Sequence, residues 1–296
     1  MKKMVSHLVS EVSTAKLHGI LLGSVGPRPI AFASTVDKDG RPNLSPFSFF
    51  NVFSANPPIL IFSPARRVRD NTTKHTLENI LETKEVVVNI VNYAMVQQVS
   101  LASTEYEDGV NEFIKAGFTM LESDLVKPFR VAESPVQLEC KVTKVEALGN
   151  EGGAGNLVFC EVVKIHLDAE IIDENGNVDQ YKIDQVARMG GGWYSRANLG
   201  LFEVPKPIST LGIGVDQIPK HIRLSSILTG NDLGMLGNIE QLPSKKEVQN
   251  YINENRELRT LISSGDPNNL HKKAQQLLKS KNVLGAWMVL LAENEI

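Results

Sequence analysis

The sequence predicts a mainly β unit, a closed or nearly closed antiparallel barrel with interspersed helices, followed by a mainly helical carboxy-terminal extension. Three observations predict it. Short segments rich in Val, Ile, Phe and Thr recur from Pro29 to about Asp168, and such runs read as strands. Turn-forming residues separate them, with mostly short connections that suit antiparallel hairpins, and closing a sheet into a barrel removes exposed edges. After about Pro205 the pattern changes to longer segments of helical period. The boundary is set at 205, giving units 1–205 and 206–296, with the second packed on the first.

In chain order the strands are "PIAFASTV", "PNLSPFSFFNVF", "PILIFS", "EVVVNIV", "PVQLECKVTKVEAL" and "NLVFCEVVKIHLD". The first two are joined by "DKDG", Asp37 to Gly40, where glycine permits a positive φ. The last two are joined by the glycine-rich loop Gly149 to Gly155. Two helices interrupt the strands: "TTKHTLENILET", with Leu77, Ile80 and Leu81 on one face, and "YAMVQQVSLASTEY", with Met95, Val99 and Ala102 in line. In the extension, "SKKEVQNYINENRELRTLISSG" and the stretch from Asp266 read as helices, and "DPNNL" supplies a cap with proline just inside it. The stretch "TGNDLGMLGN", Thr229 to Asn238, reads as a packing turn between helices.

At 296 residues the chain is long enough to bury a full core without disulfide staples. Thirty-one Lys and Arg against 34 Asp and Glu leave a net charge of −3, so no global field steers nucleic acid or an acidic membrane. No run of about 18 apolar residues is present. The amino-terminus lacks the features of a signal peptide, and a soluble cytoplasmic protein is expected. Cys140 and Cys160 sit in strands without metal-ligand spacing and read as small buried hydrophobes. The six histidines are scattered, so no metal site is expected. "EYEDG" at Glu105 to Gly109 and "DENGNVD" at Asp173 to Asp179 lack the register of a calcium loop and read as solvated turns. No nucleophile elbow, Walker loop or dinucleotide-binding glycine turn appears.

Two stretches suggest a ligand. If "PNLSPFSFFNVF" is one strand, Ser48, Phe50 and Val52 share one face while Phe47, Phe49 and Asn51 share the other. One face can build core and the other can line a groove for a flat ring, with hydroxyls and Asn51 at its polar edge. Farther on, Ser63, Arg66, Arg67, Arg69, Thr72, Thr73, Lys74 and Thr76 fall within 14 residues, across a loop and a helix start. Hydroxyls, helix amides and arginine together suit a phosphate monoester. The residues alone equally allow an ordinary solvated basic loop.

The ordered set "RPIAFAST", "NLSPFSFFN", "NPP" and "TLENI" resembles the flavin reductase-like proteins, which bind FMN in a split β-barrel; the resemblance spans about residues 14 to 200. It implies that Ser34, Thr35, Ser48, Phe49, Phe50 and Asn51 hold the ring and ribityl chain of FMN. It also implies that Ser63 and the segment from Arg67 to Thr76 hold the phosphate, with Thr73, Lys74 and Thr76 as the preferred side chains. The commonest form of that helix start has aspartate after the lysine, whereas this chain has His75, so a Lys–Asp pair is not carried over. The resemblance further implies a homodimer with the flavin near its interface.

"VARMGGGWYSRAN", Val186 to Asn198, resembles the segment that closes the ligand side. Gly190 to Gly192 permit close approach or unusual φ, and Arg188, Trp193 and Tyr194 flank them. Arg188 and Tyr194 are the candidates for orienting NADH or NADPH as electron donor. A surface loop anchored by Trp193 is the alternative. Two function classes follow: an NAD(P)H-dependent flavin reductase using hydride transfer to flavin N5, or an FMN protein for electron transfer or redox sensing. A barrel that has lost flavin and serves as an interaction module is a third.

Overall fold

The structure, a computed structural model, describes residues 2–205 and 211–295. The chain divides into two compact units, Met1–Phe202 and Glu203–Ile296. The first begins with helix α1 (Thr14–Ser24), capped by the Ser13 side chain, in a stretch for which the sequence pattern gave no element. Strands β1 (Ala31–Val36), β2 (Pro42–Phe47), β3 (Phe50–Ala55) and β4 (Pro58–Phe62) follow. Then come α2 (His75–Thr83), β5 (Glu85–Ile90), α3 (Val96–Leu101) and α4 (Glu112–Ala116). The short pair β6 (Met120–Leu121) and β7 (Arg130–Val131) precedes the long hairpin of β8 (Val136–Ala147) and β9 (Asn156–Leu167). A small hairpin, β10 (Val186–Arg188) and β11 (Tyr194–Arg196), ends the unit's regular structure.

Seven strands form one antiparallel sheet in the order β2-β1-β5-β8-β9-β4-β3. The stretch expected as a single strand, "PNLSPFSFFNVF", is broken at Ser48 and Phe49 into β2 and β3, which lie at opposite edges. Two intervening residues span at most about 11 Å, whereas seven strands laid flat would set the edges about 29 Å apart. The sheet is therefore curled until its edges approach one another. No ladder joins β2 to β3 among the described residues.

This curl creates an interior and an exterior apolar layer. Inside lie Ala31, Ala33, Phe47, Phe62, Val86, Val88, Leu138, Cys140, Val158 and Cys160, joined by Leu77 and Ile80 of α2. Outside, Phe32, Leu44, Met95, Val99, Phe113 and Phe118 pack between the sheet and α3 and α4. With both faces covered, β1 is buried at all six residues, which explains its unbroken small and apolar composition. Both cysteines are enclosed, and burial pushes the Cys140 thiol up to about 12. The Asp37–Gly40 turn joins β1 to β2, with Gly40 at φ +82°.

α2 departs from its expected face: Ile80 is fully buried, but Leu81 is 49% exposed. The periodicity puts both near one stripe, and only the turn that meets β1 and β2 is covered. α3 ends at Leu101, so the "STEY" that sequence pattern added to it is instead a turn leading into a loop.

The second unit holds α5 (Lys220–Arg223), α6 (Gly230–Leu236), α7 (Lys245–Glu254), α8 (Arg256–Ser263), α9 (Pro267–Lys279) and α10 (Val283–Leu291). The glycine-rich stretch expected as a packing turn is α6 itself, nucleated by a capping box between Thr229 and Asp232. Ser244 and Glu247 do the same for α7, and Asp266 with Pro267 starts α9. A separate core gathers Ile222, Leu236, Leu258, Leu270, Leu278 and Trp287, whose indole Nε1 donates to Leu236 O at 3.0 Å. Among the described residues no helix is long and apolar enough to cross a membrane.

Adjacent positions on α2 give a direct test of this packing. Ile80→Ala should destabilise the first unit by about 2–5 kcal/mol through lost contacts and a cavity. Leu81→Ala should stay within about 0.5 kcal/mol. Urea unfolding of the full chain, followed by a probe in the first unit, measures both; equal losses would contradict the burial of α2 described above.

Candidate functional site

The loop from Ser63 to Lys74 is held to its neighbours before any ligand is considered. Arg66 N donates to Ala154 O at 2.8 Å, and Gly153 N donates to Arg66 O at 3.0 Å. The Arg66 side chain folds back on Asn71, donating to Oδ1 and O at 2.6 Å each, and Asn71 adopts the left-handed φ of +57°. Arg66 is thus consumed in shaping the loop. Asp70 accepts from the Thr72 hydroxyl at 2.7 Å and from Thr72 N; these bonds, with Arg69, hold its carboxyl down at about 2.

Arg67 and Lys74 face a cleft. Arg67 Nη1 donates to Thr72 Oγ1 at 2.8 Å and to Thr73 O, while its Nε meets Glu105 Oε1 at 3.3 Å. Lys74 is the N-cap residue of α2, yet no side chain caps the first turn of that nine-residue helix. Its ammonium lies 5.1 Å from the centre of the Phe47 ring, and among the described residues no carboxylate comes within ion-pair distance of it. Burial first, and the Arg67 guanidinium next, push its pKa below the ordinary lysine value, with Glu105 opposing. A half-buried cation beside open helix amides is an electrostatic deficit that an anion relieves.

The cleft is lined by Asn43, Ser45, Arg67, Lys74, His75, Thr76, Ala102, Ser103, Thr104, Glu105, Tyr106 and Glu112. A smaller neighbouring hollow shares Asn43 and His75 and continues to Asp37, Arg41 and Asp108. Beneath the cleft runs a buried polar network. Thr76 Oγ1 donates to Asn43 Oδ1 at 2.7 Å, Asn43 Nδ2 donates to Glu112 Oε1 at 3.0 Å, and Leu44 N donates to Glu112 Oε2 at 3.1 Å. Asn79 Nδ2 donates to Thr35 Oγ1 at 3.1 Å. Burial pushes the Glu112 carboxyl up, against the hydrogen bonds it accepts.

Of the residues singled out by sequence, Arg67, Lys74 and Thr76 meet in this cleft. Thr73 lies beside it, with its hydroxyl donating to Glu78. Ser63 is buried, and a Cβ built on Gly155 would come within 2.6 Å of its Oγ, so glycine there makes the close approach possible. Ser34 and Thr35 are fully enclosed; Thr35 belongs to the network, and Ser34 Oγ has no hydrogen-bond partner.

Ser48 and Phe49 form the bend between the sheet edges, Phe50 and Asn51 begin β3, and none of the four lines the cleft. The alternation assumed for one strand fails there. Phe47 and Phe50 both pack toward the interior, while Phe49 is exposed and meets His18 of α1 edge-on at 6.3 Å.

Arg188 and Tyr194 are neighbours across the β10–β11 hairpin, with the guanidinium 4.6 Å from the Tyr194 ring centre, and neither lines the cleft. At the hairpin tip Gly191 has φ +58°, and a Cβ on Gly190 would lie 2.9 Å from Gly23 Cα, so both expected uses of the glycines occur. Trp193 is 78% exposed and anchors nothing in this chain.

Sequence reasoning missed Asn43, Ser45, Glu105, Tyr106 and Glu112 as cleft residues. "EYEDG" was expected to be a solvated turn, yet Glu105 and Tyr106 form a wall, and Glu105 bridges Arg67 and Arg69. Only the concentration of arginine elsewhere in the chain hinted that a carboxylate would be drawn in. A second polar cluster brings Asp124, Glu139 and His166 together. Its carboxylates are already committed: Glu139 accepts from Asp124 N, Leu125 N and His166 Nε2 at 3.0, 2.6 and 2.7 Å, and Asp124 pairs with Lys164. We read it as a structural clasp.

Comparison with known proteins places this architecture. A protein of Aquifex aeolicus without assigned function is 40% identical over 190 residues, covering 64% of this chain and 94% of that protein. The crystal structure of nitrilotriacetate monooxygenase component B from Bacillus cereus superposes with a TM-score of 0.65 at 27% identity, covering 69% of this chain and all of that one. A Shewanella frigidimarina protein assigned as a flavin reductase with split barrel domain gives a TM-score of 0.58 at 25% identity, over 67% of this chain and 95% of that one. The flavin reductase like domain model matches residues 23–182, more than half of the sequence and most of the curled sheet with its cleft, and the chain belongs to that family.

Proposed function

We propose that the first unit binds FMN with its phosphate in the cleft at the start of α2, and that it catalyses reduction of the flavin by NADH or NADPH. The observation that carries this reading is Lys74: a partly desolvated ammonium, next to Arg67 and the uncapped amides of α2, without a carboxylate of its own. Arg67, Lys74 and the first turn of α2 hold the phosphate, with the hydroxyls of Ser45 and Thr104 on the walls and Ser63 and Thr73 in the supporting loop. Thr76 acts from below, because its proton is already given to Asn43. Ser34 and Thr35 support the network from behind. The bend at Ser48 and Phe49 and the start of β3 offer the ring exposed aromatic surface at Phe49 and the polar atoms of Ser48 and Asn51.

Bound FMN, held by Arg67, Lys74 and the first turn of α2, would supply the redox chemistry, with N5 as the hydride-accepting position. The chain's own task is to position and desolvate, and this needs no protein acid of shifted pKa. Arg188 is the residue assigned to the anionic or carboxamide part of the nucleotide, and its stacking on Tyr194 fixes the guanidinium plane. Similarity to a monooxygenase component supports a role in passing electrons onward.

A second copy of the chain is the assigned partner. Val52 and Phe53 on β3, and Val163, Ile165 and Leu167 on β9, are exposed apolar side chains on strands separated only by β4. Such surface on a folded chain marks an interface, and two-fold pairing is the commonest closed assembly.

Three outcomes are expected. Lys74→Ala should weaken FMN binding about 10- to 100-fold, the equivalent of one charge-assisted hydrogen bond, with riboflavin affinity unchanged; flavin fluorescence titration reads both, and equal losses would remove the phosphate assignment. Anaerobic addition of NADH or NADPH should bleach the oxidised-flavin absorbance, and Arg188→Ala should raise the KM for the nucleotide. Bleaching by dithionite alone would turn the assignment toward electron transfer. Sedimentation should give a mass near twice 32.6 kDa, reduced by Phe53→Lys; a monomer with full FMN affinity would refute the shared surface.

A further inference from the structure

We propose that Glu105 is a built-in counter-ion that occupies the electrostatic place of the ligand's phosphate and sets how firmly the cleft retains an anionic flavin. The proposal rests on the FMN reading given above. Glu105 lies in the loop between α3 and α4, which lines both hollows: Ala102 to Tyr106 line the larger, and Asp108 to Val110 the smaller. Its carboxylate reaches Arg67 Nε with one oxygen, at 3.3 Å, and Arg69 Nη2 with the other. It also acts on Lys74, where its charge opposes the loss of the proton. The two cations of the proposed phosphate site, and Arg69 beside them, therefore share one carboxylate carried on a loop.

The arrangement has a direction. A phosphate approaching Lys74 and Arg67 meets repulsion from Glu105 and competes with it for the Arg67 guanidinium. Glu105 is 45% exposed, so the competition takes place in a high effective dielectric and is modest rather than prohibitive. Arg67 does not need Glu105 for its position, because Thr72 Oγ1 and Thr73 O also hold it. Arg69 likewise keeps Asp70 at 3.0 Å. Removing the charge of Glu105 thus frees cationic donors without collapsing the loop that carries them. A site built this way holds its cations in place while the ligand is away and lets the ligand leave, as suits a flavin that is exchanged.

The test is Glu105→Gln in the full chain, which keeps the side chain's size and an acceptor oxygen. FMN affinity should rise about 1.5- to fivefold, the range of an exposed ion pair, through slower release, while riboflavin affinity stays constant. Inorganic phosphate should compete with FMN more effectively in the variant. A purely structural Glu105 predicts the reverse, weaker binding of FMN and riboflavin alike, and that result would overturn the proposal. Unchanged FMN affinity in Glu105→Gln, with Lys74→Ala still weakening FMN, overturns the counter-ion while leaving the cleft as the phosphate site. If Lys74→Ala leaves FMN affinity intact, the site itself is wrong and the counter-ion falls with it.

Discussion

The structure of the first unit depends on the two residues, Ser48 and Phe49, that carry the chain from one edge of a seven-stranded sheet to the other. A connection that short can exist only if the sheet has curled through almost a full turn. Small residues such as Ala31 and Ala33 on β1 share the interior with larger ones, Phe47 paired beside Ala31 on β2 and Phe62 on β4. The remaining space is filled by Leu77 and Ile80 from α2. That packing holds the amino end of α2 at the rim, and the cleft follows from it.

The rim is where polar groups concentrate because it is where the apolar filling stops. Thr76 and Asn79 sit one turn apart on α2 and point into the boundary between helix and sheet, where Asn43 and Thr35 meet them. Glu112 closes the network from the first turn of α4, a position that favours a carboxylate. Each buried polar atom in this chain of bonds has a protein partner, so the floor is rigid and finished without a ligand. The upper side is unfinished: Lys74 has an aromatic neighbour and repelling or competing charges. The contrast between a satisfied floor and an unsatisfied wall is what makes this place the candidate site and sets it apart from the Asp124–Glu139–His166 clasp, where both carboxylates are engaged.

How much was legible in the sequence follows from the range of each interaction. The strands, the Asp37–Gly40 turn and the cap at Asp266 are written in neighbouring residues and were readable. So were Arg67, Lys74 and Thr76, because one loop and one helix start carry all three. The break at Ser48 was invisible because nothing in "PFSFFN" interrupts a β pattern; it is imposed by strands far away in sequence. Leu81 was misplaced for a related reason, since periodicity defines a stripe but not how much of it a curved sheet can cover. Glu105 was missed because its partners are more than 30 residues away and its own neighbourhood is that of a solvated turn. α6 hid behind glycines, which lower helix propensity, although the capping box of Thr229 and Asp232 was present to be read.

The second unit lies beyond the family match, which ends at residue 182, so its chemistry has to be judged from its own bonds. Among its described residues, a constellation that imitates a catalytic arrangement is Ser225, His271 and Glu293, with Ser225 Oγ 2.6 Å from His271 Nδ1 and His271 Nε2 3.1 Å from a Glu293 oxygen. Counting bonds decides its role. Ser225 Oγ accepts from Ile227 N at 3.1 Å and from Leu228 N at 3.2 Å, which uses both lone pairs and leaves its proton for Nδ1. His271 then carries its own proton on Nε2 and donates it to Glu293. A nucleophile needs a lone pair directed at substrate, and this hydroxyl has none to spare. The three residues therefore tie the turn after α5 to α9 and to the turn that follows α10.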